Sequence, residues 1–282
     1  MSQALKLISE SLCFGGTTAF YSHHSTACNS EMKFAVYQPP QAKLAPVPVL
    51  YFLSGLTCTE ENFMVKAGAQ RFAAQFGLML VVPDTSPRNT GTPGEEDDWD
   101  FGTGAGFYVD AIVPPWSNHY RMYSYVIEEL PALIHQNFST IPDKQGIFGH
   151  SMGGHGALVC ALRHPDRYQS VSALSPIVTP MQCPWGQKAF TNYLGSDQSQ
   201  WRDYDASELI RIAADDRLIL IDQGTHDSFL NVQLFPQAFE QVCAEVGQPL
   251  TLRMQTGYDH SYYFISTFIE DHIRHHAKAL CA

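Results

Sequence analysis

The sequence predicts an α/β fold in which a mostly parallel central sheet carries helices on both faces. Short, continuously apolar segments such as "VPVLYFL" and "LMLVV" alternate with segments of helical periodicity. Continuous apolar runs are typical of strands that are buried on both faces, as in parallel sheets. The chain has 282 residues, of which 45% are hydrophobic and 16% charged. That length and composition fit one globular domain spanning residues 1–282.

The elements follow from local signals along the chain. Before about residue 45 we expect two N-terminal antiparallel strands, in "TTAFYSHHS" and "MKFAVYQPP", the second ended by Pro39 and Pro40. Gly77 ends one later helix, and Pro131 bends or divides another. The later strands are expected in "VPVLYFLSGL", "LMLVVPDTSP", "QGIFGHS", "QSVSALSP", "RLILIDQG" and "LTLRMQTG". The helices are expected in "EENFMVKAGAQRFAAQFG", "HYRMYSYVIEELPALIHQNF", "MGGHGALVCALRHPDRY", "VQLFPQAFEQVCAEVG" and "SYYFISTFIEDHIRHHAKAL".

Two segments interrupt the alternation and are expected to be irregular. Residues 85–118 are rich in glycine and proline and contain the acidic run "GEEDDWD", and residues 175–205 contain "SPIVTPMQCPWG". Long irregular segments in a compact domain often form active-site walls or lids.

Composition excludes several classes of function. The formal net charge of −11 argues against a nucleic-acid binder, which needs cations to neutralise phosphates. No apolar stretch approaches the roughly 20 residues that span a bilayer, and the N-terminal segment is a poor export signal. The seven cysteines are scattered without a CxxC pair, so we expect reduced thiols and a cytoplasmic protein.

The segment "GHSMGGHG" at 149–156 places Ser151 in a G-x-S-x-G motif between a predicted strand and a predicted helix. In that context the motif marks a nucleophile elbow, a sharp turn that lifts the serine hydroxyl above the sheet. The positive end of the helix would face an oxyanion that forms there. The alternative is a serine N-cap on a glycine-rich turn. We favour Ser151 as the nucleophile.

A serine nucleophile needs a base and an acid that orients the base. On this fold they follow in the order Ser, acid, His, on loops after successive strands. His260 directly follows the last predicted strand and is our candidate base. The acid should follow "RLILI": we favour Asp227, on the loop past Gly224, over Asp222 at the strand end. Asp227 could instead, or also, cap the next helix.

The remaining histidines fit other roles. His226 stands where the acid is expected, and His150 and His155 flank the elbow as packing or orienting groups. His272 and His276 lie late in the last helix, where we expect solvated side chains facing its negative end. Their i,i+4 spacing lacks a third ligand, so no metal is expected.

An oxyanion hole needs two backbone N–H groups. One should come from Met152, directly after the nucleophile. The other should come from the loop "SGLTC" at 54–58, where we choose Leu56, after the flexible Gly55, over its neighbour Thr57.

Beyond the elbow, the segments "LSGLTCTEENF", "VVPDTSPR", "GAGFYVDA", "GHSMGGHGAL", "SALSPIV", "PWGQKAF" and "GYDHSYYF" together resemble the S-formylglutathione hydrolase (esterase D) family of the α/β-hydrolase superfamily. The resemblance runs from "FGG" at 14–16 to the last helix. It implies a cytoplasmic serine thioesterase, often a homodimer. The enzyme would hydrolyse S-formylglutathione to formate and glutathione in formaldehyde detoxification, without a cofactor. Its triad motifs match Ser151, Asp227 and His260.

The resemblance also touches two candidate substrate-binding residues. The family carries a cysteine at Cys58, close to the active site and associated with sensitivity to thiol reagents; from the residues alone it could be a small buried hydrophobe. Trp185 in the "PWG" motif could wall a small acyl pocket or simply pack in its loop.

Three other functions remain open. A general short-chain carboxylesterase would share every catalytic residue. An acyltransferase would need a lipid groove and export, and a non-catalytic protein on this scaffold should lack a triad member.

Overall fold

A computed structural model describes residues 5–281 as a nine-stranded sheet flanked by helices. Residues 1–4, the start of the N-terminal segment tested above for an export signal, lie outside this range. The strands are β1 (Lys6–Cys13), β2 (Gly16–Ser25), β3 (Ser30–Gln38), β4 (Val47–Leu53), β5 (Met79–Pro83), β6 (Thr140–His150), β7 (Tyr168–Leu174), β8 (Ile219–Gly224) and β9 (Leu250–Gln255). The helices are α1 (Glu60–Lys66), α2 (Ala69–Phe76), α3 (Met122–Ser124), α4 (Leu130–Asn137), α5 (Met152–Arg163), α6 (Pro184–Leu194), α7 (Gln198–Trp201), α8 (Ala206–Ile212), α9 (Pro236–Val246) and α10 (Tyr262–Leu280).

The sheet order is β1-β2-β3-β5-β4-β6-β7-β8-β9. Strands β5, β4, β6, β7, β8 and β9 run parallel. Strands β1, β2 and β3 pair antiparallel, and β3 pairs antiparallel with β5. The predicted α/β fold with N-terminal antiparallel strands is therefore confirmed.

Strand β4 shows why the sequences of the central strands are unbroken apolar runs. Val49, Tyr51 and Leu53 belong to a core cluster shared with α4, α5, α6, α8 and α9. The alternate residues Leu50 and Phe52 belong to a second cluster, shared with α1, α2 and α10. Because successive side chains of a strand point to opposite faces, both faces of β4 require apolar residues.

An aromatic cluster anchors the sheet beneath the elbow. The ring centroids of Phe52 and Phe63 are 3.6 Å apart, and Phe148 packs edge-on against Phe52 at 4.8 Å. Aromatic pairs of this kind contribute about 0.5–1.5 kcal/mol beyond the area they bury. Phe148 lies in β6 only three residues before Ser151, so this cluster fixes the strand that carries the serine.

The two expected N-terminal strands are present as β2 and β3, and β1 adds a third that was not expected. Leu7, Ile8 and Leu12 in β1 are all exposed. An edge strand that buries neither face has no hydrophobic alternation, so periodicity could not reveal it.

Three predicted helices depart from a regular α-helix. The first divides into α1 and α2 at Gly68, whose φ of 69° is left-handed. The helix with Pro131 is not divided: its backbone stays helical from Met122 to Asn137, and a π-helical turn at Tyr125–Glu129 precedes the proline. The helix before β9 begins with a π-helical turn at Leu230–Leu234, and Pro236 then opens α9.

The segment 175–205 is more ordered than expected, because α6 and α7 lie inside it. Proline and glycine in "CPWG" suggested irregular chain. In the structure Pro184 occupies the first turn of α6, where its missing N–H has no partner to lose.

The expectation of solvated His272 and His276 is wrong. Both are fully buried against β7, where His276 lies 2.9 Å and His272 2.8 Å from the Ser172 hydroxyl. Burial, helped by neighbouring histidines, holds the pKa of His276 well below its usual range. It therefore stays neutral and bonds Ser170 as well.

No helix within residues 5–281 combines the length and apolarity needed to cross a membrane. Over the same range all seven cysteines are free thiols.

The crossing of α5 over β4 gives a stability prediction. A Cβ on Gly153 would lie 1.9 Å from the Leu53 carbonyl oxygen, so Gly153→Ala should lower the free energy of unfolding by about 3 kcal/mol or more. Gly247→Ala is the matched control: its φ is 77° but nothing lies within 4 Å, so left-handed strain alone should cost about 1–2 kcal/mol. Urea unfolding measures both, and equal losses would contradict the packing argument.

Candidate active site

Ser151 lies on a strained turn between β6 and α5. Its φ of 57° and ψ of −121° are unusual for a residue with a side chain, and such conformations cost about 1–3 kcal/mol. The turn is held from both sides, because the Ser151 N–H donates to Leu174 at 3.0 Å and its carbonyl accepts from His155 and Ile177. The Ser151 hydroxyl forms no helix-capping bond, which argues against the alternative that this serine serves as an N-cap.

Glycines allow the close approach that this turn needs. A Cβ on Gly149 would lie 2.2 Å from the Gly153 carbonyl oxygen, and one on Gly154 would lie 2.8 Å from Pro176. Any larger residue would push α5 away from β6. The glycines around Ser151 therefore serve packing, and the turn conformation is the consequence.

His260 and Asp227 meet at the carboxyl ends of the neighbouring strands β8 and β9. His260 Nδ1 lies 2.5 Å from Asp227 Oδ2. The other carboxylate oxygen accepts from the Phe229 N–H at 2.9 Å, so Asp227 also caps the following turn. Burial would raise the pKa of Asp227, but the hydrogen bond and charge of His260, together with the hydrogen bonds from Phe229 and Gln223, outweigh burial and lower the pKa. The acid is therefore ionised and fixes the His260 ring.

Asp222, the other candidate acid, points away from the site. It accepts hydrogen bonds from Arg253, Gln255 and His272, at 2.8, 2.7 and 3.0 Å. Burial would raise the pKa of Asp222, but the bonds from His272 and Arg253 lower it to about 2. This buried carboxylate ties β8, β9 and α10 together.

His150 packs against His260, with ring centroids 4.4 Å apart. Burial and the adjacent His260 ring hold the pKa of His150 well below its usual range. Phe229 contacts His260 edge-on from another side, at 5.1 Å. His260 is thus held by a neutral ring, an apolar ring and a carboxylate.

The two predicted oxyanion donors are available. Within residues 5–281, neither the Leu56 N–H nor the Met152 N–H has a hydrogen-bond acceptor. The alternative donor, Thr57, is occupied because its N–H donates to Gly104 at 2.9 Å. Leu56, at the edge of the active-site cavity, is the better candidate.

The loop at 54–58 is anchored from behind. The Cys58 carbonyl accepts from the Thr85 hydroxyl at 2.6 Å and from Arg88 at 3.1 Å, and Asp84 pairs with Arg88. The Tyr108 hydroxyl donates to the Ser54 carbonyl at 2.9 Å. These bonds hold the Leu56 N–H in place without any substrate, which is the preorganisation an oxyanion hole requires.

Ser151 and His260 open on one cavity of about 210 Å³. The other residues that line it are Gly55, Leu56, Cys58, Trp99, His150, Trp185, Phe229, Ser261 and Tyr262. The structure thus brings the predicted nucleophile, base, Leu56, Cys58 and Trp185 together. Asp227 and Met152 lie directly behind this lining. Asp227 is bonded to His260, and Met152 follows Ser151 in the chain.

Cys58 is half-buried at the cavity wall, beside the Tyr262 hydroxyl. Burial raises the pKa of its thiol, and the Tyr262 hydroxyl only partly opposes this. The thiol therefore stays protonated at neutral pH and is a poor nucleophile.

Sequence reasoning missed Trp99. This half-exposed residue of the acidic "GEEDDWD" run packs edge-on against Trp185, at 5.5 Å. Lys188 in α6 pairs with the two flanking carboxylates, Asp98 at 3.0 Å and Asp100 at 2.5 Å. An aromatic residue between charges in a long irregular segment was the available signal; its contact with Trp185 was not readable from the sequence.

No cluster of three or more His, Cys, Asp or Glu side chains in residues 5–281 is placed to hold a metal ion. The described arrangement can carry out acyl transfer with protein groups alone: a nucleophile, a base with its orienting acid, and two N–H donors.

Known proteins are similar to this chain in sequence and fold. The esterase family model matches residues 25–275. The S-formylglutathione hydrolase of Rattus norvegicus is 57% identical over 280 residues, covering 99% of each chain. That of Arabidopsis thaliana is 53% identical over 286 residues, again covering 99% of each.

The solved structure of an S-formylglutathione hydrolase from Agrobacterium tumefaciens superposes with a TM-score of 0.95 at 52% identity. The match covers 97% of this chain and 99% of that one. Both the sequence and the architecture are therefore shared over nearly the full length. On these grounds the chain belongs to the S-formylglutathione hydrolase family of esterases.

Proposed function

We propose that this chain hydrolyses S-formylglutathione to formate and glutathione, with Ser151 as nucleophile, His260 as base and Asp227 as the orienting acid. The observation that carries the proposal is the single cavity onto which Ser151, His260 and Leu56 open, in a chain 57% identical to a rat S-formylglutathione hydrolase. The chain is a serine hydrolase that acts on thioester and ester bonds.

The first step acylates the serine. His260 accepts the hydroxyl proton as Ser151 Oγ attacks the thioester carbonyl carbon, and the Leu56 and Met152 N–H groups stabilise the oxyanion. The carbon–sulfur bond then breaks and the proton on His260 passes to the departing sulfur. A thiol with a pKa near 8.5 leaves readily, so this protonation contributes little.

The second step releases formate. Water donates a proton to His260 while its oxygen attacks the formyl carbon of the acylated Ser151. The same two N–H groups stabilise the second oxyanion. Collapse of this intermediate breaks the ester bond, and the proton on His260 returns to Ser151 Oγ.

The cavity favours a small acyl group. Its volume of about 210 Å³ lies below the roughly 300–1,000 Å³ usual for drug-sized ligands. Trp185 packs between Trp99 and Phe229 along one wall, so enlarging the cavity at Trp185 would disturb its contacts with both neighbours. We propose that Trp185 and Cys58 contact substrate.

A general short-chain carboxylesterase is the second candidate, because this apolar cavity does not itself select a thiol leaving group. An acyltransferase that moves a long acyl chain is less favoured, since the cavity at Ser151, of about 210 Å³, is too small for such a chain.

Steady-state kinetics with S-formylglutathione and p-nitrophenyl esters of increasing acyl length test the function. We expect kcat/KM to be highest for S-formylglutathione and to fall with each added methylene, because the aromatic wall limits length. Ser151→Ala should lower every rate by about 10⁴-fold or more, since the residual oxyanion hole cannot replace the nucleophile. Comparable kcat/KM for long esters would favour the carboxylesterase, and more than a few per cent activity in Ser151→Ala would refute the assignment.

Asn substitutions at the two candidate acids separate catalysis from stability. Asp227→Asn should lower kcat by about 10³–10⁴-fold, because the amide cannot hold the His260 tautomer or stabilise its charged form. Asp222→Asn should keep most of the activity per folded molecule but lose about 1–3 kcal/mol of stability. Kinetics together with urea unfolding of both variants measure this, and the reverse pattern would make Asp222 the acid.

We also propose a cytoplasmic homodimer, as the family resemblance implies. Light scattering of the purified protein should give twice the mass of one chain; a single-chain mass at micromolar concentration would contradict the dimer.

A further inference from the structure

A second concavity shares part of its lining with the active-site cavity. This groove, of about 650 Å³, is lined by Lys66, Ser261, Tyr262, Tyr263 and Ser266. Two of these residues, Ser261 and Tyr262, also line the active-site cavity. The two spaces are therefore contiguous at the start of α10, directly after the base His260.

Size separates the roles of the two spaces. The active-site cavity, at about 210 Å³, can hold a formyl group and the reacting sulfur but not a tripeptide. The groove lies within the range of volumes usual for ligands larger than that. A thioester bound at Ser151 must extend the rest of its leaving group somewhere, and the shared wall at Ser261 and Tyr262 leads to the groove.

Lys66 is the charged residue of the groove lining. The other cations near the active site are neutralised, Arg88 by Asp84 and Lys188 by Asp98 and Asp100. In the part of the chain that the structure describes, Lys66 forms no ion pair. Its ammonium lies 5.5 Å from the centre of the Tyr262 ring, over the floor of the groove.

The groove also offers an aromatic face and hydroxyls. Tyr263 is 85% exposed, which leaves most of its ring uncovered on the groove wall. The Ser261 hydroxyl bonds Asp259, and the exposed Tyr263 side chain carries a second hydroxyl that can bond amide groups. A ligand with carboxylates for Lys66 and amides for hydroxyl groups fits this lining.

We propose that the groove binds the glutathionyl part of the substrate, with Lys66 pairing with one of its carboxylates. This inference rests on the proposed function and specifies where its leaving group lies. In a chain with net charge −11, an anionic tripeptide needs such a local cation to offset the overall repulsion.

Charge reversal at Lys66 tests the groove. We expect Lys66→Glu to lower the ratio of kcat/KM for S-formylglutathione to kcat/KM for p-nitrophenyl acetate by about three- to tenfold, as the loss of a partly exposed pair predicts. Lys66→Gln should give a smaller fall. Lys278→Glu makes the same charge change at the far, exposed end of α10 and should keep the wild-type ratio. An unchanged ratio in Lys66→Glu, or an equal fall in Lys278→Glu, would overturn the proposal.

A measurement without turnover distinguishes this inference from the function itself. S-methylglutathione should inhibit p-nitrophenyl acetate hydrolysis competitively, and Lys66→Glu should raise its inhibition constant by a similar factor. If S-formylglutathione is not hydrolysed but this shift occurs, the function is wrong and the groove stands. If S-methylglutathione does not compete, or its inhibition constant is unchanged in Lys66→Glu, the groove assignment is wrong.

Discussion

Gly149 and Gly153 lie where any Cβ would overlap main-chain atoms of the neighbouring elements, and this close crossing of α5 with β4 and β6 is the constraint on which the site depends. It forces Ser151 into a conformation that a residue with a side chain avoids. The strain persists because the surrounding structure determines it: an apolar sheet with both faces covered, an aromatic cluster under β6, and hydrogen bonds on either side of the turn. In these bonds the Ser151 N–H donates to the Leu174 carbonyl and the Ser151 carbonyl accepts from the Ile177 N–H. Because the first N–H groups of a helix have no acceptor within it, the Met152 N–H at the start of α5 also stays without one among residues 5–281.

The other catalytic groups lie at the same edge of the sheet because its strands are parallel. Parallel strands end together, so the loops after β4, β6, β8 and β9 meet although their sequences are far apart. Each loop is then fixed separately. The loop after β4 is bonded by Thr85, Arg88 and Tyr108, and His260 is held by Asp227 and His150. Asp222, close by in sequence, is used instead to tie the last two strands to α10. Nearby carboxylates thus divide into one that holds the His260 ring and one that ties the fold together.

The two sides of the active-site cavity differ in character. One side is closed by Trp99, Trp185 and Phe229, and Lys188 holds the acidic segment that carries Trp99. The other side opens through Ser261 and Tyr262 toward Lys66 and Tyr263. In the proposed reaction, the apolar wall would limit the acyl group, and the open groove with Lys66 would suit a larger anionic leaving group. This division would let one small cavity act on a thioester much larger than itself.

The sequence by itself determined the fold class and the candidates Ser151, Asp227 and His260, each placed after a predicted strand. Buried strands and a glycine-flanked serine leave strong local patterns, which is why these features could be predicted. The sequence did not reveal β1, which buries neither face, or the burial of His272 and His276, whose polar character suggests solvent. Only the tertiary structure decided which donor of the 54–58 loop is available, that Trp99 reaches the cavity, and that Lys66 borders a groove joined to it. These depend on contacts between segments distant in the chain, which have no periodicity or spacing that a sequence could display.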